Sequence, residues 1–259
     1  MPTTLKTTIE DQLAFLTLSR PEKRNAISPL MVDELLAALD LLEAHPVRVV
    51  IVSGEGRSFC SGMDLAALQD VAGQTHAQNL HDARRIASVF RRLWSFPKPL
   101  IAAVNGAAIA GGCGLATLCD FTLAAENATF GYTEVRVGFM PALVSLFLER
   151  QVGEKIARDL LLTGRVIDAQ EAHKLGLVTR VVPSDQLLPA ARELAATLIA
   201  YSPGSMAATK RLLVRSSEAE IEAGLELAIS ESAEIRSTDD FREGLAAFLE
   251  KRKPRWSGR

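Results

Sequence analysis

Five short apolar runs limit what this chain can fold into: LAFLTL, VRVVIVSG, KPLIAAV, FTLAAE and LVTRVVP. They read as strands, and the segments between them carry apolar residues at helical spacing. Interleaving of this kind makes helices and strands share a core, which is the mark of an α/β fold with a mixed or parallel sheet. Beyond Pro183 the pattern changes. DQLLPAARELAATLIAYS, GSMAATKRLLVR, EAEIEAGLELAISESAEIR and FREGLAAFLEKRK all read as helices, with no further strand. A soft boundary therefore falls near Ser202 and Pro203, dividing a core of residues 1–202 from a helical region of residues 203–259. At 259 residues, 48% of them hydrophobic, the chain suffices for one large domain, alone or with a small appendage.

Local signals fix some of the element ends. Ser28 followed by Pro29 is a helix start, because a Ser hydroxyl can accept an N-terminal N–H and Pro is pre-set for the first helical position. Asp168 with Glu171 forms a capping-box pattern ahead of AQEAHKLG, and Gly176 is a stop for that helix.

Composition excludes several function classes. The formal net charge is −2 with 23% charged residues, so neither a nucleic-acid field nor an acidic tail is announced. Three cysteines, Cys60, Cys113 and Cys119, in a chain whose start lacks a secretory pattern, fit a reducing cytoplasm. The longest apolar runs are broken well short of the ~20 residues that a membrane-spanning helix needs. His45, His76, His81 and His173 are scattered without ligand spacing, so no metal is expected.

The richest chemical segment is KPLIAAVNGAAIAGGCGLATLCD, residues 98–120, where a buried strand ends at Val104 and a glycine-rich turn leads into a small-residue helix. Glycines at 111, 112 and 114 let a ligand oxygen approach the main chain, and the positive end of the following helix favours negative charge there. The same small residues also suit tight packing of a helix on a sheet. A phosphate-loop reading fails, since Gly112 and Cys113 stand where Lys and Ser or Thr are required. A dinucleotide fingerprint is weak, because Thr117 takes the third glycine position. A second loop, GEGRSFCSGMDL, follows the strand VRVVIVS and offers another N–H, although such a turn is commonly only a connector.

Taken together, FCSGMDL, KPLIAAVNGAAIAGGCGLATLCD and TFGYTEVRVGFMP resemble the enoyl-CoA hydratase/isomerase (crotonase) superfamily. The likeness runs from RPEKRNAIS through LTGRVIDAQEAHKLGLVTRVVP to FREGLAAFLEKRKP. It implies an α/β spiral of ββα units followed by a helical C-terminal region that serves trimerisation, in trimers or paired trimers. It implies an acyl-coenzyme A thioester as substrate, with coenzyme A part of that substrate and no separate cofactor. By the same likeness the backbone N–H groups of Met63 and Gly111 form an oxyanion hole, the kind of feature whose loss of one donor typically costs about 10²- to 10³-fold in rate. Lys23, Arg24, Ala26, Ser61, Asp64 and Leu65, with Phe248 and Lys251 on the last helix, match positions that hold coenzyme A. Lys23 and Arg24 read equally as a solvated surface pair, and the last helix as a plain amphipathic one.

The acid/base inventory departs from the family. Hydratases of the superfamily commonly carry two glutamates; here the first position is Gly114, and the second is Glu134, whose apolar neighbours would raise its pKa. Isomerisation of a 3-enoyl to a 2-enoyl thioester needs only one positioned carboxyl group, while hydration also needs water oriented and deprotonated, which calls for a substitute. His81, Asp82 and Arg84, on a helical stretch after the oxyanion loop, are candidates, although a polar helix face is the ordinary role of such residues. Cys113 reads as a small buried thiol. TEVRVGFMPALVS is similar to methylglutaconyl-CoA hydratase-like members, which implies hydration of a branched or short acyl group. A reading from another class is a member that binds a CoA thioester or RNA without turnover; the near-neutral charge argues against RNA, and the intact Glu134 against lost activity.

Overall fold

The computed structural model describes residues 2–259; the side chains of Leu65 and Ala72 lie outside the described residues, and with the first of these one position expected to touch coenzyme A. Strands β1 (Leu5–Glu10) and β2 (Leu13–Leu18) form an antiparallel hairpin. Helix α1 (Pro29–Ala44) starts as its sequence indicates, with the Ser28 hydroxyl accepting the Met31 N–H at 3.2 Å.

Three repeats of strand, short strand and helix follow. The first is β3 (Val49–Gly54), β4 (Ser58–Cys60) and helices α2 (Leu65–Ala72) and α3 (His76–Ser95). The second is β5 (Leu100–Val104), β6 (Ala107–Ile109) and α4 (Gly111–Thr117). The third is β7 (Phe121–Ala125), β8 (Thr129–Gly131), a 3-10 turn at Glu134–Val137, and helices α5 (Ala142–Val152) and α6 (Glu154–Thr163). After them come β9 (Val166–Asp168), α7 (Ala169–Lys174) and β10 (Arg180–Val182). Helices α8 (Leu187–Ala200), α9 (Pro203–Arg215), α10 (Glu218–Ile235) and α11 (Asp239–Leu249) complete the chain.

Each repeat sends its long strand to one sheet and its short strand to another. The long strands, joined at one edge by the three-residue β10, build a six-stranded sheet in the order β1-β2-β3-β5-β7-β10, parallel from β2 onward. The short ones build a four-stranded sheet in the order β4-β6-β8-β9. The result is a spiral of ββα units with a helical C-terminal region. Central strands are buried on both faces, which is why they read as continuous apolar runs. On β3, Val50 and Val52 face the main core with Leu35, Leu39 and Phe90, whereas Val49 and Ile51 face Ala191, Ala195 and Leu198 of α8. Burying one such aliphatic side chain contributes about 1.5–3 kcal/mol.

The short strands are a feature that the apolar runs do not announce: β4, β6, β8 and β9 have three residues each, too few for a readable period. Their placement depends on glycine. A Cβ on Gly106 would lie 2.1 Å from the Arg57 carbonyl oxygen, and one on Gly112 would lie 2.4 Å from that of Cys60. Backbone meets backbone at both points, which only glycine permits.

A similar approach ties the C-terminal helices to the 3-10 turn. Gly138 ends that turn with φ +68, and a Cβ on Gly244 of α11 would sit 2.4 Å from the Val137 carbonyl. Gly244→Ala therefore forces α11 off the turn. The expected cost is roughly 1–3 kcal/mol of overpacking, read as a lower urea midpoint; an unchanged midpoint would mean that α11 retreats freely.

Candidate active site

The site begins with a clasp between residues 20–27 and the loop after β4. Asn25 is fully buried in the left-handed region at φ +54. Its side-chain carbonyl accepts the Arg20 N–H at 2.8 Å, and its amide donates to the carbonyls of Glu55 and Ser58, both at 2.9 Å. Arg20 in turn donates to the Ala26 carbonyl at 2.7 Å and pairs with Asp64 at 2.9 Å. Main-chain bonds finish the clasp: Ser61 N–H to Arg24 carbonyl, Ile27 N–H to Gly62 carbonyl, and Asp64 N–H to Ile27 carbonyl. Because Gly62 and Asp64 use the Ile27 side, the intervening Met63 N–H is left over. Among the described residues it has no hydrogen-bond partner, and neither has the Gly111 N–H.

The loop before α4 is set by two unusual backbones. Ala110 adopts φ 53 and ψ −128, a sparsely populated conformation that costs of order 1–3 kcal/mol and persists only where the surroundings enforce it. Its N–H is held by the Gly131 carbonyl at 2.7 Å. Gly62, at φ +86, packs against it: a Cβ there would meet that of Ala110 at 2.9 Å and stand 3.8 Å from the Gly111 nitrogen. The two loops are thus in direct contact, and Met63 and Gly111 line one cavity of about 630 Å³.

The same cavity is lined by Glu134, at the first position of the 3-10 turn. Glu134 is 9% exposed, and its Oε2 is buried without a partner among the described residues. Desolvation pushes its pKa up to about 7, against a smaller lowering by its own backbone N–H. Near neutral pH both protonation states are then populated, as a group that both takes and returns a proton requires.

Of the other residues singled out in the sequence, Lys23, Arg24, Ala26, Ser61, Asp64 and Phe248 line the cavity. Lys23 and Arg24 are exposed, and Lys251, also exposed, lies off the wall beyond α11. Gly114 faces apolar atoms: a Cβ would stand 2.5 Å from Val144 Cγ1 and 3.1 Å from Phe90 Cε1, and both of these residues line the cavity. Asp82 is half-buried and bonded to Arg236, while His81 and Arg84 are exposed on α3. Cys113 is fully buried and its thiol pKa is pushed up to about 12 by desolvation, which makes it a poor nucleophile. Arg20, Asn25 and Arg236 were not anticipated. For Asn25 a signal existed, since RNAIS places an Asn, tolerant of positive φ, in a tight turn.

The burial of Glu134 has a stability consequence with a definite sign. Below pH 4.5 it is protonated in both folded and unfolded chains and costs nothing extra. Between pH 4.5 and about 7 the unfolded chain loses the proton that the folded chain keeps, so stability falls as pH rises, by up to roughly 3 kcal/mol once both are ionised. Glu134→Gln lacks this term. Its stability relative to the native chain is expected to improve by about that amount from pH 4 to pH 8 in urea titrations, and a pH-independent difference would contradict the burial.

The model of the family described as enoyl-CoA hydratase/isomerase matches residues 8–259. A putative enoyl-CoA hydratase of Thermus thermophilus is 46% identical over 245 residues, covering 94% of this chain and 97% of the relative. The 2,3-dehydroadipyl-CoA hydratase of Escherichia coli is 38% identical over 252 residues, covering 96% and 97%. Among solved structures, an enoyl-CoA hydratase/isomerase from Xanthobacter autotrophicus Py2 is similar with a TM-score of 0.89 at 34% identity, covering 97% of both chains.

Proposed function

The chain belongs to the enoyl-CoA hydratase/isomerase family, and on that premise we propose that it adds water across the double bond of a 2-enoyl-CoA thioester, with Glu134 as the single acid/base group. The observation that carries this reading is one buried carboxyl, pKa about 7, sharing a cavity with two unpartnered N–H groups. In the proposed step the thioester oxygen accepts the Met63 and Gly111 N–H groups, and electron density drawn to it leaves the β-carbon open to attack. Glu134, as carboxylate, takes a proton from water while the oxygen of that water bonds to the β-carbon. The resulting enolate collapses as Glu134, now the acid, delivers the proton to the α-carbon, and the carboxylate is regenerated. Water is consumed whole and no redox partner is needed.

Two aimed donors favour this course because they meet charge where it develops, in a cavity where water competes little. Coenzyme A, carried by the substrate, would lie along Lys23, Arg24, Ala26, Ser61 and Phe248, and supply binding energy remote from the reacting carbons. We propose no further cofactor. The proposed setting is a cytoplasmic homotrimer or pair of trimers, in keeping with exposed Leu212 and Leu213 on α9 and Leu227 on α10. No helix among the described residues is long and apolar enough to cross a membrane.

One observation favours a second reading. With Val144 and Phe90 standing over it, Gly114 offers no side chain to orient water, and Glu134 alone suffices to move a proton from the α- to the γ-carbon of a 3-enoyl thioester.

Crotonyl-CoA separates the two. Loss of its conjugated absorbance is expected with the native protein, with kcat/KM rising through an apparent pKa near 7 as the base form appears. Glu134→Gln is expected to lower the rate by about 10²- to 10⁴-fold. No hydration by protein that binds CoA thioesters would defeat the hydratase reading, and appearance of conjugation from a 3-enoyl-CoA would establish the other.

A further inference from the structure

Helix α10 buries a stripe of Ile221, Leu225, Ala228 and Ile229, and the stripe then turns polar at Ser232 and Arg236. Both continue the same face by one-turn steps, and both line the cavity that holds Glu134. Arg236 is 3% exposed, a rare condition for a guanidinium unless it is partnered. Its partner is Asp82 of α3: one terminal nitrogen donates to Asp82 Oδ2 at 2.7 Å. Its flat face lies 5.6 Å from the Phe139 ring, itself on the cavity wall. Nε is buried and has no acceptor among the described residues.

A guanidinium offers five N–H donors in a fork matched to carboxylates. Asp82 occupies one end. A strut between two helices does not require the remaining donors to border a substrate cavity, and an unmet buried N–H is costly. Leu68, Val71, Ile86 and Val137 give the same cavity an apolar lining. A plain hydrocarbon acyl chain would leave unmet the edge of the guanidinium that borders the cavity, whereas an anionic tip would meet it; Nε itself is closed off from that space.

Building on the hydratase reading, we infer that Arg236 is a specificity residue that receives a carboxylate at the far end of the acyl group, so that the substrates are CoA thioesters of dicarboxylic acids. Ser232, one turn earlier, stands beside it as a second donor.

The test is a binding comparison that does not depend on turnover. Glutaryl-CoA and pentanoyl-CoA have acyl chains of equal carbon number and differ in the terminal group. By calorimetric titration, the native protein is expected to bind glutaryl-CoA about 10- to 100-fold more tightly, the range of a hydrogen bond to a charged group. In the double variant Asp82→Asn, Arg236→Gln, which removes both charges together and leaves neither buried alone, the advantage is expected to vanish while pentanoyl-CoA affinity changes less than about threefold. Should thermal unfolding show that variant unfolded, Arg236→Lys, which keeps the charge and loses the fork, is expected to cut the ratio to a third or less. Equal affinities in the native protein, a preference for pentanoyl-CoA, or a preference that survives substitution would each overturn the inference. A native protein that prefers glutaryl-CoA in this way yet hydrates neither glutaconyl-CoA nor 2-pentenoyl-CoA would remove the hydratase reading and leave Arg236 in its role.

Discussion

Main chain has to touch main chain between successive ββα units, and the site is a result of that constraint. Gly106 lies against the Arg57 carbonyl and Gly112 against that of Cys60, at separations no side chain would allow. These contacts bring the corner before β4 onto the corner before β6, and the loop after β4 onto the start of α4. Gly62 is thereby pressed against Ala110, and the N–H groups that follow each of them, at Met63 and Gly111, open on the same cavity. Strain at Ala110 is the local cost, held in place by the Gly131 carbonyl from the neighbouring short strand. Precision in this site therefore comes from backbone geometry over which side chains have little control. The clasp around Asn25 and Arg20 then fixes the one flank that the sheets leave loose.

Into that rigid frame the chain puts one costly group. Glu134 is removed from water and given no full set of partners, so its charged form is disfavoured by burial rather than by a neighbouring charge. The frame can bear this because the 3-10 turn carrying Glu134 is pinned from behind by α11 at Gly138 and Gly244. At the position where the superfamily resemblance implies a first glutamate, Val144 and Phe90 close over Gly114. In the proposed reaction the acid/base work falls on a single carboxyl, which must act in both its forms. Arg236, 3% exposed on the wall of the same cavity, is the group to which we assign selectivity.

Five strands of the six-stranded sheet were legible in the sequence, the central ones because burial on both faces makes them apolar runs, whereas the mostly exposed β1 (LKTTIE) carries no such run; the C-terminal helices were legible by their period. The short strands were not: three residues such as Ser58–Cys60 carry no pattern, and their pairing depends on close approaches involving residues about fifty positions away. Glu134, Met63 and Gly111 could be singled out through their motifs, while their meeting in one cavity required coordinates. Arg20 and Arg236 escaped notice for a related reason. Each looks like an ordinary charged residue until its partner arrives, Asp64 from 44 positions away and Asp82 from 154.

In the proposed mechanism Glu134 exchanges protons with the carbon next to a thioester whose oxygen is held by two backbone N–H groups. Exchange of the α-hydrogens of butyryl-CoA in deuterated water, followed by proton NMR, tests that claim apart from any addition of water, since a saturated acyl group can form the enolate but cannot be hydrated. Exchange is expected with the native protein and is expected to be abolished in Glu134→Gln. Exchange that persists without the carboxyl, or native protein that binds butyryl-CoA and exchanges nothing, would contradict it.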